Sequence, residues 1–257
     1  MSKRKIPTAS GMAFGVDIGG TGIKGAIVDL ASGDLKTDRV KFPTPHPATP
    51  DAVAAEVTRL VREAGWSGEI GATFPAVIKH GVAKSAANVD RSWIGTNVDE
   101  VFTKATGCDV TVLNDADAAG LAEVRYGAAK GVPGLVILLT FGTGIGSGMF
   151  IDGVLVPNTE LGHLEVDGAD AEKRAAASAK ENEDLSYKHW AKRVSRYLQH
   201  VEKLFSPDLI LVGGGVSKDA DRWVPLLTVD TPIKPAELLN NAGIVGAALA
   251  AHEHFEE

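Results

Sequence analysis

The feature that most constrains this chain is a glycine-rich turn that occurs twice. The stretches FGVDIGGTGIKGAIVD (14–29) and LTFGTGIGSGMFIDG (139–153) share one pattern: an apolar strand, a turn containing Gly-Thr-Gly-Ile, and a second strand that ends near an aspartate. Glycine lets such a turn adopt φ > 0 and bring backbone N–H groups close to a ligand. The repeat predicts two similar lobes, each beginning with the same hairpin.

The segment after the first hairpin has the pattern of an amphipathic helix. Val53, Val57 and Leu60 recur at helical spacing and form one apolar stripe. Thr49 is placed to cap this helix, and Pro50 suits its first position. We therefore predict a helix that begins at Pro50.

The second half of the chain also predicts alternating strands and helices. The run LVILLTF (135–141) is nearly all apolar, as expected for a strand that is buried on both faces. The charged stretch 167–186 has few large apolar residues and is expected to be exposed. We predict an α/β protein of two lobes with a cleft between them. The predicted lobes are an N-terminal one over 1–113 and a C-terminal one over 114–257, with the helix over 241–255 as a candidate to join the first lobe.

Composition excludes several classes of protein. The net charge of -7 argues against a general nucleic-acid binder, and no apolar run reaches the roughly 18 residues of a membrane span. Cys108 is the single cysteine of the 257 residues, which excludes an intrachain disulfide and a cysteine-cluster zinc site. We expect a cytoplasmic protein with neither nucleic-acid nor membrane partners.

The glycine turns are candidate phosphate sites. Successive N–H groups that point into one concavity bind anions, Thr21 and Thr143 each add a hydroxyl, and Lys24 adds a charge. The alternative is a pair of ordinary tight hairpins, in which glycine is also common. The two matching turns, together with the glycines 213–215, favour phosphate.

Two other phosphate-binding motifs do not apply to this sequence. Gly20, Gly22 and Gly25 spell G-x-G-x-x-G, but that fingerprint must open a helix, and here GAIVDL predicts a strand. The P-loop pattern G-x-x-x-x-G-K-[ST] does not occur. The sequence therefore argues against a nicotinamide enzyme and a P-loop kinase.

Five motifs occur in the order in which the ROK family of sugar kinases and repressors carries them: DIGGTGIKGAIVD, LNDADAAGLAE, TFGTGIGSGMFIDG, ELGH and LVGGGVS. Longer stretches such as TELGHLEVDG and AANVDRSWIGTN are similar to the bacterial polyphosphate glucokinases, and among these to the polyphosphate/ATP glucomannokinases. The resemblance spans about residues 13–251. It implies the two-lobed actin-like ATPase (ribonuclease H-like) fold, with the active site in the interlobe cleft.

The resemblance also implies a reaction: transfer of the terminal phosphoryl group of polyphosphate or ATP to the 6-hydroxyl of glucose, and of mannose, with Mg²⁺. Two alternatives within the family stay open, a strictly ATP-dependent glucokinase and a non-catalytic sugar-binding protein, although the latter would be expected to lack Asp115. A repressor is disfavoured, because only about a dozen residues precede the first strand, too few for a helix-turn-helix. The resemblance leaves open a monomer or a homodimer.

Residue roles follow from the same resemblance. Asp115 is the expected general base for the sugar hydroxyl, although NDADAAGLAE is also rich in helix-capping residues, and Asp117 is interpreted as a cap or supporting residue. Asp17 is the candidate for Mg²⁺, reached through water. The expected sugar-binding residues are Asn88, Asn114, Asp115, Glu160, His163 and Glu172. The expected phosphate-binding residues are Asp17, Gly19, Gly20, Thr21, Gly22, Lys24, Thr140, Gly142, Thr143 and Gly144, and the expected nucleotide-binding residues are Gly213, Gly214 and Gly215.

Two further expectations concern zinc and polyphosphate. In many ROK proteins the histidine of E-x-G-H ligates a structural zinc that a following cysteine cluster completes. Here GADAEKRAAASAKE stands in that place and contains no cysteine, so we predict no structural zinc and no zinc ligation by His163. Polyphosphate needs a basic groove; the candidate cations are Lys24, Lys79, His80, Lys84, Arg91 and Lys218.

Overall fold

The structure, a computed structural model, describes residues 11–86 and 89–255. The chain divides into two compact units. Unit 1 contains the described residues up to Ala122 and those from Asn240 onward, and unit 2 contains Glu123–Leu239. Unit 1 is therefore discontinuous in sequence.

Unit 1 is built on a five-stranded mixed sheet in the order β3-β2-β1-β4-β7. Strand β1 pairs antiparallel with β2 and parallel with β4, and β4 pairs parallel with β7. Its elements are β1 (Met12–Ile18), β2 (Gly22–Asp29), β3 (Val40–Pro43), α1 (Pro50–Glu63), β4 (Ile70–Phe74), β5 (Ile78–Lys79), β6 (Val82–Ala83), α2 (Val98–Thr106), β7 (Val110–Asn114) and α3 (Asp115–Arg125), the last of which crosses the boundary between the units.

Unit 2 repeats this topology in a sheet of order β10-β9-β8-β13-β14. Strand β8 pairs antiparallel with β9 and parallel with β13, as β1 does with β2 and β4. Both glycine turns therefore join the first and second strands of equivalent sheets. The elements are β8 (Leu135–Phe141), β9 (Ile145–Ile151), β10 (Val154–Val156), β11 (Glu165–Val166), β12 (Ala169–Asp170), α4 (Glu172–Ala175), α5 (Ala177–Asn182), α6 (Tyr187–Phe205), β13 (Leu209–Gly213), α7 (Ala220–Trp223) and β14 (Ile233–Pro235).

The last helix, α8 (Ala242–Phe255), returns to unit 1 and packs on β1, β4 and β7. Gly15 and Gly71 are paired neighbours on β1 and β4. A Cβ atom at either glycine would collide with the backbone of α8, at Ile244 and Ala247 respectively. The two glycines thus create a flat patch on which the helix backbone rests directly.

Aromatic clusters fill the core of each unit. In unit 2 the rings of Trp190 and Trp223 lie 4.8 Å apart, and both contact Phe141 at 5.8 Å between ring centroids. Such contacts are worth about 0.5–1.5 kcal/mol beyond the area that they bury. Phe141 immediately precedes the second glycine turn, so the cluster anchors that turn to the core.

The prediction that the stretch 167–186 is exposed was wrong in part. It folds into β12, α4 and α5, and Ala171 together with the alanines 175–177 is buried. Small side chains allow a charged segment to pack closely on a core. Across the described residues, no helix combines the length and the apolar character that crossing a membrane requires.

Candidate active site

The first glycine turn is tightly closed. Ile18 and Ile23 are the last paired residues of the hairpin, and the Gly19 N–H donates to the Gly22 carbonyl at 3.0 Å. Gly20 and Thr21 form the tip, where Thr21 is exposed. The Thr44 hydroxyl donates to the Gly19 carbonyl at 2.5 Å and ties the turn to the segment before α1.

A fixed ion pair lies at the base of this turn. Asp17 and Lys24 face each other across the hairpin, and Lys24 Nζ lies 2.9 Å from Asp17 Oδ2. Lys24 Nζ also donates to the Asn240 carbonyl at 3.3 Å. Gly243, near the start of α8, lies so close that a Cβ there would be 3.1 Å from the Asp17 carboxyl carbon. One carboxylate and one ammonium are thus held beside the first glycine turn.

Sequence reasoning missed Thr73, which orients Asp17. The Thr73 hydroxyl donates to Asp17 Oδ1 at 2.9 Å and accepts from the Ile18 N–H at 3.1 Å. Thr73 is fully buried and is paired with Asp17 in the parallel register of β4 and β1. The available signal was a polar residue at the end of an otherwise apolar strand.

Replacing Thr73 by valine is expected to lower kcat/KM and to destabilise the fold by about 1–3 kcal/mol, because the Ile18 N–H loses its acceptor and Asp17 its donor. Thr73→Ser keeps the hydroxyl and should stay near wild type in activity. Urea unfolding and steady-state kinetics on both variants measure the two effects. Wild-type kcat/KM in Thr73→Val would contradict the orienting role.

The junction of β7 and α3 places three polar side chains in different environments. Asn114 Oδ1 accepts from the N–H groups of Ala116 (2.8 Å) and Asp117 (3.3 Å), and its Nδ2 donates to the Ala76 carbonyl at 3.2 Å. Asn114 therefore caps α3. Asp117 is buried at 1% exposure. Asp115 is exposed, and its Oδ1 accepts from the Ala116 N–H at 3.0 Å.

The second glycine turn is held by α5. The Gly142 N–H donates to the Gly144 carbonyl at 3.0 Å. Ser178 donates twice to the turn, from its N–H to the Gly142 carbonyl at 3.0 Å and from its hydroxyl to the Thr143 carbonyl at 2.6 Å. Thr140 is paired with Gly146 on β9 and with Gly213 on β13. The turn is thereby fixed from two sides.

Gly213 ends β13, and Gly214 and Gly215 follow it beside this turn. Gly214 has φ 83°, and a Cβ there would collide with the backbone of Phe141. Gly142, Thr143 and Gly215 line one depression of about 350 Å³. The other lining residues are Phe141, Ala177, Ser178, Lys180, Glu181, Tyr187, Val216 and Asp219. The structure therefore joins two of the sequence motifs in one concavity of unit 2.

Carboxylates surround His163 in the same unit. His163 Nδ1 lies 3.8 Å from both Glu172 Oε1 and Asp170 Oδ2. Glu172 Oε2 accepts from the Ile145 N–H at 3.2 Å, directly after the second glycine turn. Desolvation raises the pKa of the Glu160 carboxyl, with His163 opposing and Glu172 reinforcing the shift. Sequence reasoning missed Asp170, whose proximity to His163 depends on the β11–β12 hairpin.

The loop before His163 is held by Ser147 of β9. The Ser147 hydroxyl donates to the Thr159 carbonyl at 2.6 Å and accepts from the Leu161 N–H at 2.9 Å. Asn88 lies outside the described residues, so its predicted sugar contact stays a prediction. Over residues 11–86 and 89–255, no three or more His, Cys, Asp or Glu side chains form a group that could hold a metal ion.

Comparison with known proteins places this chain in a family. The ROK family matches residues 13–175. The chain belongs to the ROK family. Among its ROK relatives, the polyphosphate glucokinase of Mycobacterium tuberculosis is 59% identical over 239 residues, which cover 93% of this chain and 90% of the relative. The Mycobacterium leprae polyphosphate glucokinase is 55% identical over 95% of this chain and 76% of the relative.

Solved structures extend the comparison. The inorganic polyphosphate/ATP-glucomannokinase of Arthrobacter sp. strain KM superposes with a TM-score of 0.90 and 53% sequence identity, covering 95% of this chain and 99% of that one. This ROK chain therefore has the actin-like ATPase fold that the sequence resemblance implied. The equivalent sheets of the two units are the internal repeat of that fold.

Proposed function

We propose that this ROK protein is a kinase that transfers the terminal phosphoryl group of inorganic polyphosphate or ATP to the 6-hydroxyl of glucose, giving glucose 6-phosphate. The observation that carries the proposal is the 59% identity to a polyphosphate glucokinase over 93% of the chain. The 0.90 TM-score with a polyphosphate/ATP-glucomannokinase supports both donors.

Asp115 acts as the general base in this proposal. Phosphoryl transfer depends mainly on positioning and on charge stabilisation, but the attacking hydroxyl must still lose its proton. Asp115 is exposed at the start of α3, while Asn114 caps the helix and Asp117 is buried. This division of roles supports Asp115 as the carboxylate that reaches the sugar.

The two glycine turns hold phosphate groups. In unit 2, the depression lined by Gly142, Thr143 and Gly215 accepts donor phosphates, and for ATP it also takes the adenosine. In unit 1, Lys24 supplies a positive charge beside Gly20 and Thr21. In the second turn the equivalent cross-strand positions are Thr140 and Gly146, so no charged pair like that of Asp17 and Lys24 occupies them.

The sugar is held by carboxylates and amides. Glu160, His163 and Glu172 form a polar cluster beside the second turn, and Asn88 and Asn114 complete the proposed set. A site of this kind rejects analogues that leave its polar groups unpaired. Mannose, which differs from glucose only at the 2-hydroxyl, is proposed as a second acceptor on the basis of the Arthrobacter relative's name.

Mg²⁺ fits the residues that are present. A single carboxylate plus water and substrate phosphates is the usual protein environment for this ion, and Asp17 offers one partly exposed carboxylate held by Thr73. When bound, Mg²⁺ would neutralise charge on the transferring phosphoryl group. Asp17 and Lys24 would then orient the donor end.

A structural zinc is not part of the proposal, because the segment after His163 contains no cysteine and His163 faces Asp170 and Glu172. Elemental analysis of the purified protein is expected to give well under one zinc per chain. One zinc per chain after dialysis would contradict this expectation. We further propose that the protein acts in the cytoplasm, as a monomer or a homodimer.

A coupled assay for glucose 6-phosphate tests the function. It supplies glucose or mannose with Mg²⁺ and either ATP or polyphosphate. Turnover with both donors is the expected result. Turnover with ATP alone would favour a strictly ATP-dependent glucokinase, and sugar binding without turnover for any pair would favour a non-catalytic sugar-binding protein.

A further inference from the structure

The exposed side of α6 is unusually basic for this chain. The helix carries five Lys or Arg residues and one acidic residue, Glu202, a net charge of +4 with histidines neutral, in a chain whose net charge is -7. Its other side is buried, so the charges occupy the solvent face over about 28 Å. We call the set Lys188, Lys192, Arg193, Arg196 and Lys203 the basic track.

Nearby carboxylates neutralise only part of the basic track. Arg193 is paired with Glu183 at 2.6 Å, and Arg196 with Asp167 at 2.8 Å. Glu202 is turned away, because its Oε1 accepts from the 230–231 segment. Lys188, Lys192 and Lys203 are exposed and have no ion pair within the described part of the chain. Three ammonium groups therefore remain available to an anion.

A groove lies beside the middle of the track. It has a volume of about 180 Å³, and Lys192, Arg193 and Arg196 line it together with Arg174. Tyr197 forms part of its wall and is buried at 1% exposure, and its hydroxyl has no hydrogen-bond partner in residues 11–86 and 89–255. Burial raises the pKa of Tyr197, so the hydroxyl keeps its proton. Four cationic side chains thus line one groove, together with the Asp167 carboxylate that pairs with Arg196.

The track begins at the depression of the second glycine turn. Tyr187, the first residue of α6, lines that depression with Gly142 and Thr143. Two cations cover its ring: Lys180 Nζ lies 4.5 Å and the Arg222 guanidinium carbon 4.4 Å from the centroid. Lys180 and Arg222 therefore place positive charge where the depression, which Glu181 and Asp219 also line, meets the start of α6.

We propose that the basic track binds the part of a long polyphosphate chain that extends beyond the phosphates held at the second glycine turn. This inference rests on the proposed function, in which polyphosphate is a donor. ATP ends after three phosphates and would not reach along the helix, whereas polyphosphate carries negative charge along its whole length. The track therefore selects for chain length and leaves the use of ATP unaffected.

The charges of the basic track would also attract a single-stranded nucleic acid. The track, however, lacks the exposed aromatic rings on which the bases of such a strand stack. Non-specific binders stack bases on exposed aromatic rings. On α6, Trp190 and Tyr197 are buried, Phe205 is half-buried and packed against the core, and the ring of Tyr187 is covered by cations. Because the basic track offers positive charge but no exposed aromatic ring for stacking, it favours an inorganic polyanion over a nucleic acid.

The test neutralises the three unpaired lysines together, in Lys188→Gln/Lys192→Gln/Lys203→Gln. We expect KM for long-chain polyphosphate to rise roughly tenfold, and the dependence of log KM on log salt to become less steep by about two, since each contact to a single strand contributes about 0.7. The kinetics with ATP and with tripolyphosphate should stay at wild-type values. The matched control is Lys104→Gln/Lys130→Gln/Lys234→Gln, which removes the same charge from exposed sites elsewhere.

Any of three results would contradict polyphosphate binding by the basic track. They are an unchanged KM for long-chain polyphosphate in the triple variant, an equal rise of that KM in the control variant, or an equal loss of activity with ATP as donor in the triple variant. Direct binding of labelled long-chain polyphosphate to the wild type and both variants keeps the test separate from catalysis. If the wild type turned over ATP but no polyphosphate, the donor assignment would fail, while binding would still decide the track. If RNA bound more tightly than polyphosphate with the same number of phosphates, the partner of the basic track would be a nucleic acid and the proposal would be wrong.

Discussion

Replacing Asp115 by asparagine is expected to lower kcat by about 10²–10⁴-fold, the usual contribution of a positioned general base. The amide oxygen can still accept from the Ala116 N–H, as Asp115 Oδ1 does now, so the start of α3 is preserved. What is lost is the capacity to take the proton of the sugar's 6-hydroxyl. Steady-state kinetics with glucose and either donor measure the effect.

The same variant separates catalysis from binding. Glucose affinity, measured by calorimetry, should stay within a few-fold of wild type, because the hydroxyl keeps a hydrogen-bonding partner. Asp38→Asn is the matched control, since Asp38 is an exposed aspartate of the same unit, in the loop between β2 and β3. Wild-type turnover in Asp115→Asn would show that another group removes the proton.

The second large effect is expected in folding. Gly71→Ala places a Cβ against the backbone of Ala247, where no side chain can rotate away. Overpacking costs about 1–3 kcal/mol and occasionally more, and the upper end applies because α8 must shift as a whole. Gly243, near the start of α8, lies beside the Asp17 carboxylate. A shift of α8 should therefore also disturb Asp17 and lower the activity of the variant.

Comparing the urea unfolding of Gly71→Ala with that of Gly107→Ala separates the effect of the clash with α8 from the general effect of replacing a glycine by alanine. Gly107 has φ 74° and open space around it, so alanine there introduces backbone strain of about 1–2 kcal/mol without a clash. Gly71→Ala should be the less stable of the two. Equal unfolding midpoints for Gly71→Ala and the wild type would mean that the backbone of α8 does not rest directly on β4.

Local signals predicted the local structure well. Thr49 caps α1 and Pro50 begins it, as the spacing predicted. Both glycine turns join antiparallel strands, and the apolar run 135–141 is the central strand β8. Each of these features is encoded within a few residues, because turn chemistry, capping and apolar periodicity act over that distance.

Partnerships between distant segments were not predictable in the same way. Thr73 lies 56 residues from the Asp17 that it orients, and Asp170 meets His163 through a two-stranded hairpin. At the β7–α3 junction the residue pattern alone did not separate a helix cap from a general base, because Asn114, Asp115 and Asp117 all suit a helix start. The structure gives the cap to Asn114 and leaves Asp115 exposed.

The sequence by itself determined the repeated hairpin, the α/β class and membership of a kinase family, because short motifs and periodicity carry that information. Only the tertiary structure decided which side chains share an environment. It placed Thr73 beside Asp17, Glu172 beside the second turn, and the start of the basic-track helix beside the depression at that turn. Hydrogen bonds and charge interactions act over a few ångströms in space, and sequence separation does not report that distance.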